Sequence, residues 1–285
     1  MTRWFGRVVA VLVISLLALG SGLSVAQAAE GDFSLVPKSK LTDKPFRGTV
    51  LVTVAERVVC TGFIIAPNKV VTAAHCLVRN AGKGDYKLKS GVPGNLRLYR
   101  GYSSIHGGTP YKSCAVGKAW AHPKFVKSGS GDKAFGSRVH DYAVLTTKNG
   151  CKFAQNSVLR MWATEHGDGK LKVGQTVRAA GYPADSRFKR MNGLNLWRTE
   201  GKVKPLQRDR RHLVFTGFVS MGMSGGPVWR TYKSGSSSPC GRTHCVVGLV
   251  TECEVNKNGF CIKKPASERL AVRITPQVKQ TINSK

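Results

Sequence analysis

Beyond residue 30 the chain is a succession of short apolar runs separated by turn-forming residues, and this punctuation restricts the fold more than any other feature. The runs are GTVLVTV (48–54), RVVCTGFIIA (57–66), KVVTAA (69–74), LRLY (96–99), DYAVLTT (141–147), TVRAAGY (176–182), RHLVFTGF (211–218), PVWRTY (227–232) and CVVGLVT (245–251). Each has the length of a strand, is rich in Val, Thr or aromatic residues, and is bounded by Gly, Pro, Asn or Lys. No long stretch shows the 3.6-residue apolar period of an amphipathic helix. Many short strands with regular turn signals predict an all-β sandwich or barrel. One helix is expected at the end, where Thr275 can cap, Pro276 suits the first helical position, and Val278 and Ile282 share a face. The segments 127–138 and 233–239 read as Gly/Ser-rich loops, no internal repeat is visible, and a change of character over 151–170 marks a boundary between two halves.

The first residues have a different pattern. Arg3 and Arg7 precede an apolar run from Val8 to Leu19, followed by the small-x-small site Ala26-Gln27-Ala28. This is the anatomy of a secretory signal peptide with cleavage near Ala28, and its apolar core is short for a membrane anchor. Export would place the eight cysteines, Cys60, Cys76, Cys114, Cys151, Cys240, Cys245, Cys253 and Cys261, in an oxidising compartment, where disulfides are the default. The rival reading, a metal site built from Cys240, His244, Cys245 and Cys253, lacks any C-x-x-C pair, so no metal and no cofactor are expected. The formal charge of +30 implies adhesion to polyanions or acidic surfaces. The basic residues are scattered and not ordered along a helix face, which argues against a specific nucleic-acid module.

Three short strings bear on chemistry. In VVTAAHC (70–76) a strand runs into His75 and Cys76; Cys60 lies one strand upstream and can bridge to Cys76 if the two segments are antiparallel neighbours. Closing such a loop is worth about 3 kcal/mol in the chain-entropy model and would hold the backbone beside His75. In HDYAVL (140–145) Asp141 opens an apolar strand, so its carboxylate would sit at a core edge and need a partner such as an imidazole N–H. In MGMSGGPVW (221–229) Ser224 stands in a glycine-rich turn. Taken singly, each has a plain structural explanation: a satisfied histidine, a turn-capping aspartate, a loop hydroxyl. The three contexts together, in the order His, Asp, Ser, point to nucleophilic catalysis.

TAAHC (72–76), DYAVL (141–145), AGYP (180–183), GMSGGPV (222–228) and VVGLVT (246–251) together resemble the chymotrypsin-like (trypsin-fold) serine endopeptidases, in particular the secreted bacterial branch that includes the glutamyl endopeptidases. The resemblance implies two antiparallel six-stranded β-barrels with a short C-terminal helix and the active site between them. On this reading residues 1–28 are the signal peptide, 29–155 the barrel with His75 and Asp141, and 156–285 the barrel with Ser224 and the helix. It implies Ser224 as nucleophile, His75 as general base, Asp141 as its orienting partner, and the N–H groups of Gly222 and Ser224 as an oxyanion hole. It supports a Cys60–Cys76 disulfide; nearest-neighbour pairing supplies Cys114–Cys151, Cys240–Cys245 and Cys253–Cys261.

The chain also departs from its relatives. Where trypsin-like enzymes have an aspartate before the nucleophile, to receive a freed N-terminus, this sequence has Met223; Met221 and Met223 are expected to pack beneath the loop instead. The pocket positions are Phe218, Val219, Val250, Thr251 and Glu252. Glutamyl endopeptidases have threonine and histidine where Val219 and Val250 stand, so a neutral or apolar side chain is expected before the scissile bond, with Glu252 the one residue that would attract a basic one. The expected protein is a monomeric, secreted endopeptidase acting on protein or peptide. Its alternative is a catalytically silent protease-fold module that binds polyanions or cell envelopes. An α/β-hydrolase esterase would need the order Ser, acid, His.

Overall fold

The computed structural model describes residues 33–54, 57–80, 86–88, 94–108, 111–126, 138–148, 150–165, 170–185, 192–205, 211–232, 240, 243–253 and 269–285. The signal-peptide reading of residues 1–28, the Cys253–Cys261 pairing, the 233–239 loop, the 127–138 loop up to residue 137 and the side chain of Glu252 lie outside these residues. The strands are β1 (Ser34–Leu35), β2 (Thr49–Val54), β3 (Arg57–Ala66), β4 (Lys69–Thr72), β5 (Val78–Asn80), β6 (Tyr86–Leu88), β7 (Leu96–Arg100), β8 (Cys114–Ala121), β9 (Ala143–Thr147), β10 (Arg160–Met161), β11 (Thr176–Gly181), β12 (Trp197–Lys202), β13 (His212–Phe215), β14 (Pro227–Thr231), β15 (His244–Cys253) and β16 (Arg269–Arg273). Every strand run named from the sequence coincides with one of them. Among the described residues no helix is long and apolar enough to cross a membrane.

The first half closes. Strands β2, β3, β4, β9, β8 and β7 form an antiparallel barrel in that order, with β7 pairing back onto β2. Period-two alternation drives it: Leu96 and Leu98 of β7 point into the core while Arg97 and Tyr99 between them stay half-buried. Val50, Val52, Phe63, Ile64 and Leu145 complete the interior. Closure leaves the barrel without open edges.

The second half corrects the expectation of two six-stranded barrels. It is an eight-stranded sheet in the order β1-β12-β11-β14-β15-β16-β13, with β10 added beside β15, and it does not close. The reason lies at the edge of β12. The N-terminal strand β1 already pairs with Trp197 and Arg198 there. The end strand β13 meets β12 only at its far end, through the Val203–Phe215 bridge and the exchange between Lys202 and Thr216. Gly201 permits even that approach, since a Cβ there would run into the Thr216 carbonyl.

The first and last described segments each pack onto the opposite half. Val36, Leu41 and Phe46 are buried in a core with Tyr182, Leu196 and Trp229 of the second sheet. The C-terminal helix (Pro276–Asn283) is capped as its sequence predicts, the Val278 N–H donating to Thr275 Oγ1 at 3.2 Å, and it buries Val278 and Ile282 against the first barrel. Disulfides join Cys60 to Cys76, Cys114 to Cys151 and Cys240 to Cys245.

Candidate active site

Strand register brings His75 and Asp141 together. In the antiparallel β4–β9 pair Thr72 lies opposite Ala143. Following β4 forward to His75 and β9 backward to Asp141 therefore leads to the same end of the barrel. There the chain after β4 forms a 3₁₀ turn, Ala74–Cys76, tied back to β3 by the Cys60–Cys76 disulfide. Asp141 spends both carboxylate oxygens on one residue: Oδ1 accepts the His75 backbone N–H at 2.8 Å and Oδ2 lies 2.6 Å from His75 Nδ1. Asp141 is 1% exposed, so these bonds satisfy an acid that could not be buried unpartnered. The imidazole is only half-covered, with 36% of its side chain exposed.

Ser224 comes from the other half and is bolted onto this end. Its carbonyl accepts the Thr61 N–H at 2.9 Å, and the Thr61 hydroxyl donates to the Gly222 carbonyl at 2.7 Å. Thr61 is next to Cys60, and its own carbonyl accepts from Thr72 Oγ1 at 2.7 Å. The second sheet holds the loop from behind: Gly225 N–H donates to Val250 and Val250 N–H to Gly226, beside the irregularity in β15 between Val250 and Glu252. Thr61 and Thr72 are thus the clamp between the halves. Nothing in the sequence distinguishes them from other strand threonines.

The N–H groups on either side of Met223 are not spent within the loop. Met223 N–H bonds to Ser220 and Gly225 N–H to Val250, whereas those of Gly222 and Ser224 have no acceptor among the described residues. Gly222 has φ +85°, a left-handed conformation that a side chain would strain, and a Cβ there would strike the Tyr182 carbonyl. The Ser224 hydroxyl likewise has no partner among the described residues. Catalytic hydrogen bonds are commonly long or misaligned until substrate binds.

Of the two methionines expected beneath the loop, only Met223 is there, fully buried in the second core; Met221 is 48% exposed and faces solvent. Gly181 provides the space, its Cα side facing Met223 so closely that a Cβ would collide. Phe218, Val219, Val250 and Thr251 are all buried, with Val219 and Val250 part of the second core. Phe33 of the N-terminal segment stacks on Trp197 at 4.8 Å and packs against Phe218 at 4.4 Å between ring centres. Sequence reasoning overlooks both Phe33 and the buried bond from Ser220 Oγ to Asp185, 3.0 Å.

The trypsin-like peptidase domain matches residues 60–234, a span that holds His75, Asp141 and Ser224. The chain belongs to the trypsin-like peptidase family. Among solved structures this family member is similar to a Glu endopeptidase in complex with MPD, at 20% identity and TM-score 0.61 over 90% of this chain and 97% of that one. It is also similar to the protease Anisep from Arthrobacter nicotinovorans, at 18% identity and TM-score 0.57 over 83% and 93%. A thermostable serine protease, AL20, gives 18% identity and TM-score 0.58 over 85% and 97%. At such identities the likeness establishes the fold. A curated relative, the extracellular metalloprotease of Bacillus subtilis (strain 168), is 26% identical over 201 residues, covering 68% of this chain and 55% of that protein. The chain thus spans about half the length of that relative. Among the described residues the one close group of candidate metal ligands is Cys60, His75 and Cys76, and both sulfurs are held in a disulfide.

The packing of the serine loop predicts an unequal response to glycine substitution. Gly225 has φ +83°, and a Cβ would press into the Thr61 carbonyl, Thr72 Oγ1 and the Ala73 N–H at once. Gly174 has φ +81° with open space around it. Gly174→Ala should cost only the left-handed backbone penalty, about 1–2 kcal/mol. Gly225→Ala should cost roughly 3 kcal/mol or more, because rigid backbone on both halves must move. Thermal melting of the two variants checks this; equal shifts would mean the loop is not clamped.

Proposed function

We propose that the chain is an exported serine endopeptidase whose triad is Ser224, His75 and Asp141, supplied by a first half of residues 29–155 and a second half of 156–285. Ser224 Oγ attacks the carbonyl carbon of a peptide bond and its proton passes to His75 Nε2. The oxyanion accepts the N–H groups of Gly222 and Ser224. Collapse breaks the C–N bond, and the amine leaves with the proton held on His75. Water, deprotonated by His75, then releases the acyl group from Ser224.

One observation carries the reading. Asp141 grips His75 at two points, which supports an imidazole held in the Nδ1–H tautomer, the form in which Nε2 is the basic nitrogen. The two unspent N–H groups beside the serine support an oxyanion site, where a single donor is typically worth about 10²–10³ in kcat. Burial of Met223 supports a loop ordered by packing and not by an inserted N-terminal ammonium, which would find no acid there. The disulfides suit an oxidising compartment outside the cytoplasm.

Fluorophosphonate labelling of the exported protein, followed by peptide mapping and profiling on a peptide library, tests the reading. Covalent label on Ser224 is expected, with cleavage preferring an uncharged side chain before the scissile bond, graded by about 1–3 kcal/mol per methylene. No label on Ser224 would favour the silent binding module. Strict selection of Glu, Lys or Arg would remove Phe218, Val219 and Val250 as the specificity walls.

A further inference from the structure

A second concavity lies away from the serine, where the 44–47 turn, the segment leading into β10 and the start of β15 meet. It has a volume of about 540 Å³ and is lined by Lys44, Arg47, Arg160 and His244, with the polar side chains of Asn156 and Thr243. No carboxylate is among its described lining residues. The nearby acids are already engaged, Asp43 with Lys40 at 3.0 Å and Glu200 with Arg178 at 2.6 Å. Cations gathered in one hollow repel one another, so the backbone has to hold them there.

The backbone does hold them. Gly48 presses the turn that carries Arg47 onto the Ser157 carbonyl and Leu159 so tightly that no Cβ would fit. Arg160 lies opposite Cys245 in the β10–β15 pair, which puts it beside His244, and the Cys240–Cys245 disulfide anchors that end of β15. Arg47 is half-buried and its Nε is enclosed with no hydrogen-bond partner among the described residues. A buried donor left unsatisfied in this way can accept an incoming oxygen as partner. Burial, reinforced by the charges of Arg178 and Lys44 and opposed by a hydrogen bond to the Lys44 backbone, holds the His244 imidazole below its ordinary range.

We propose that this hollow is a binding site for a phosphate-type oxyanion, whether free or carried on a polymer, held by Arg47 and Arg160 beside the His244 ring, which bonds to Thr231 Oγ1 at 3.3 Å. Arginine forks match the paired oxygens of such an anion. The site is separate from the proposed chemistry: β14 starts beside the serine loop at Pro227 and reaches the hollow only at Thr231, opposite His244, about 13 Å further along at a strand's rise per residue.

Calorimetric titration with inorganic phosphate, and separately with linear polyphosphate, tests it on the exported protein. One saturable phosphate site is expected, with the His244 ring resonances shifting over the same concentration range. Arg47→Gln/Arg160→Gln should weaken binding at least tenfold, whereas Lys118→Gln/Lys172→Gln, which removes the same charge from exposed positions, should leave it within twofold. If the first pair compromises folding, Arg160→Gln alone, at an exposed position, should still weaken binding several-fold. Polyphosphate binding far more tightly than phosphate, and lost with Arg47 and Arg160, would make a polymer the source; comparable affinities would make it the free anion. The proposal is overturned by no saturable binding of either probe, by equal weakening in both double variants, or by His244 resonances that do not respond.

Discussion

Ser224→Ala should melt with the parent protein and turn over peptide substrates roughly 10⁵–10⁶-fold more slowly, the scale on which removing the nucleophile of a serine-protease triad is felt. The fold is spared because the loop is held through backbone groups and not through the hydroxyl. The Ser224 carbonyl bonds to Thr61, Gly222 is clamped by the Thr61 hydroxyl, and Gly225 and Gly226 exchange bonds with Val250. The hydroxyl itself has no partner among the described residues, so its loss leaves no orphaned group. Circular dichroism and calorimetry establish the fold, and progress curves on a cleaved library peptide measure the rate. A folded Ser224→Ala protein with turnover within tenfold of the parent would remove Ser224 from the chemistry.

Asp141→Asn should cost about 10⁴ in kcat, the loss seen when a triad aspartate becomes an amide, and it does so by reversing one hydrogen bond. Both oxygens of Asp141 accept from His75, one from the backbone N–H and one from Nδ1. An asparagine has one acceptor and one donor. Its carbonyl oxygen keeps the backbone bond, and its NH₂ then faces Nδ1, so the ring must turn Nδ1 into an acceptor and carry its proton on Nε2. That tautomer cannot take a proton from serine. The buried position also loses a charge, so stability should move little by comparison. Nitrogen NMR of the His75 ring reads the tautomer directly. A variant with the Nε2–H tautomer and near-parental activity would show that Asp141 does not orient the base.

Some of this was legible along the chain and some was not, and the division follows the range of the interactions. β3 and β15 stand out because both are long and apolar; β12 does not. Its residues Trp-Arg-Thr-Glu-Gly-Lys bury only Thr199 and Gly201, so it shows neither a continuous apolar run nor a clean alternation. β16 hides for another reason: Arg269 and Arg273 at its two ends are buried, against every expectation from their chemistry, bonded to the Gly217 and His212 carbonyls. β1 is two residues long, and its existence depends on an edge of β12 formed by a distant part of the chain.

What the sequence determined by itself was therefore local: strand-forming runs, the capped C-terminal helix, and the strings around His75, Asp141 and Ser224, each set by a residue and its immediate neighbours. The tertiary structure alone decided the open second sheet, because where β1 and β13 reach β12, the one at Trp197 and Arg198 and the other only at Lys202 and Val203, is a matter of packing. It alone decided that Thr61 and Thr72 clamp the serine loop, that Met223 and not Met221 supports it from below, and that Lys44, Arg47, Arg160 and His244 share one hollow. Each of these depends on segments that are distant along the chain meeting in space, as in the 161-residue separation between Thr61 and Gly222. Distances of that kind are set by packing and register, which no string of neighbouring residues records.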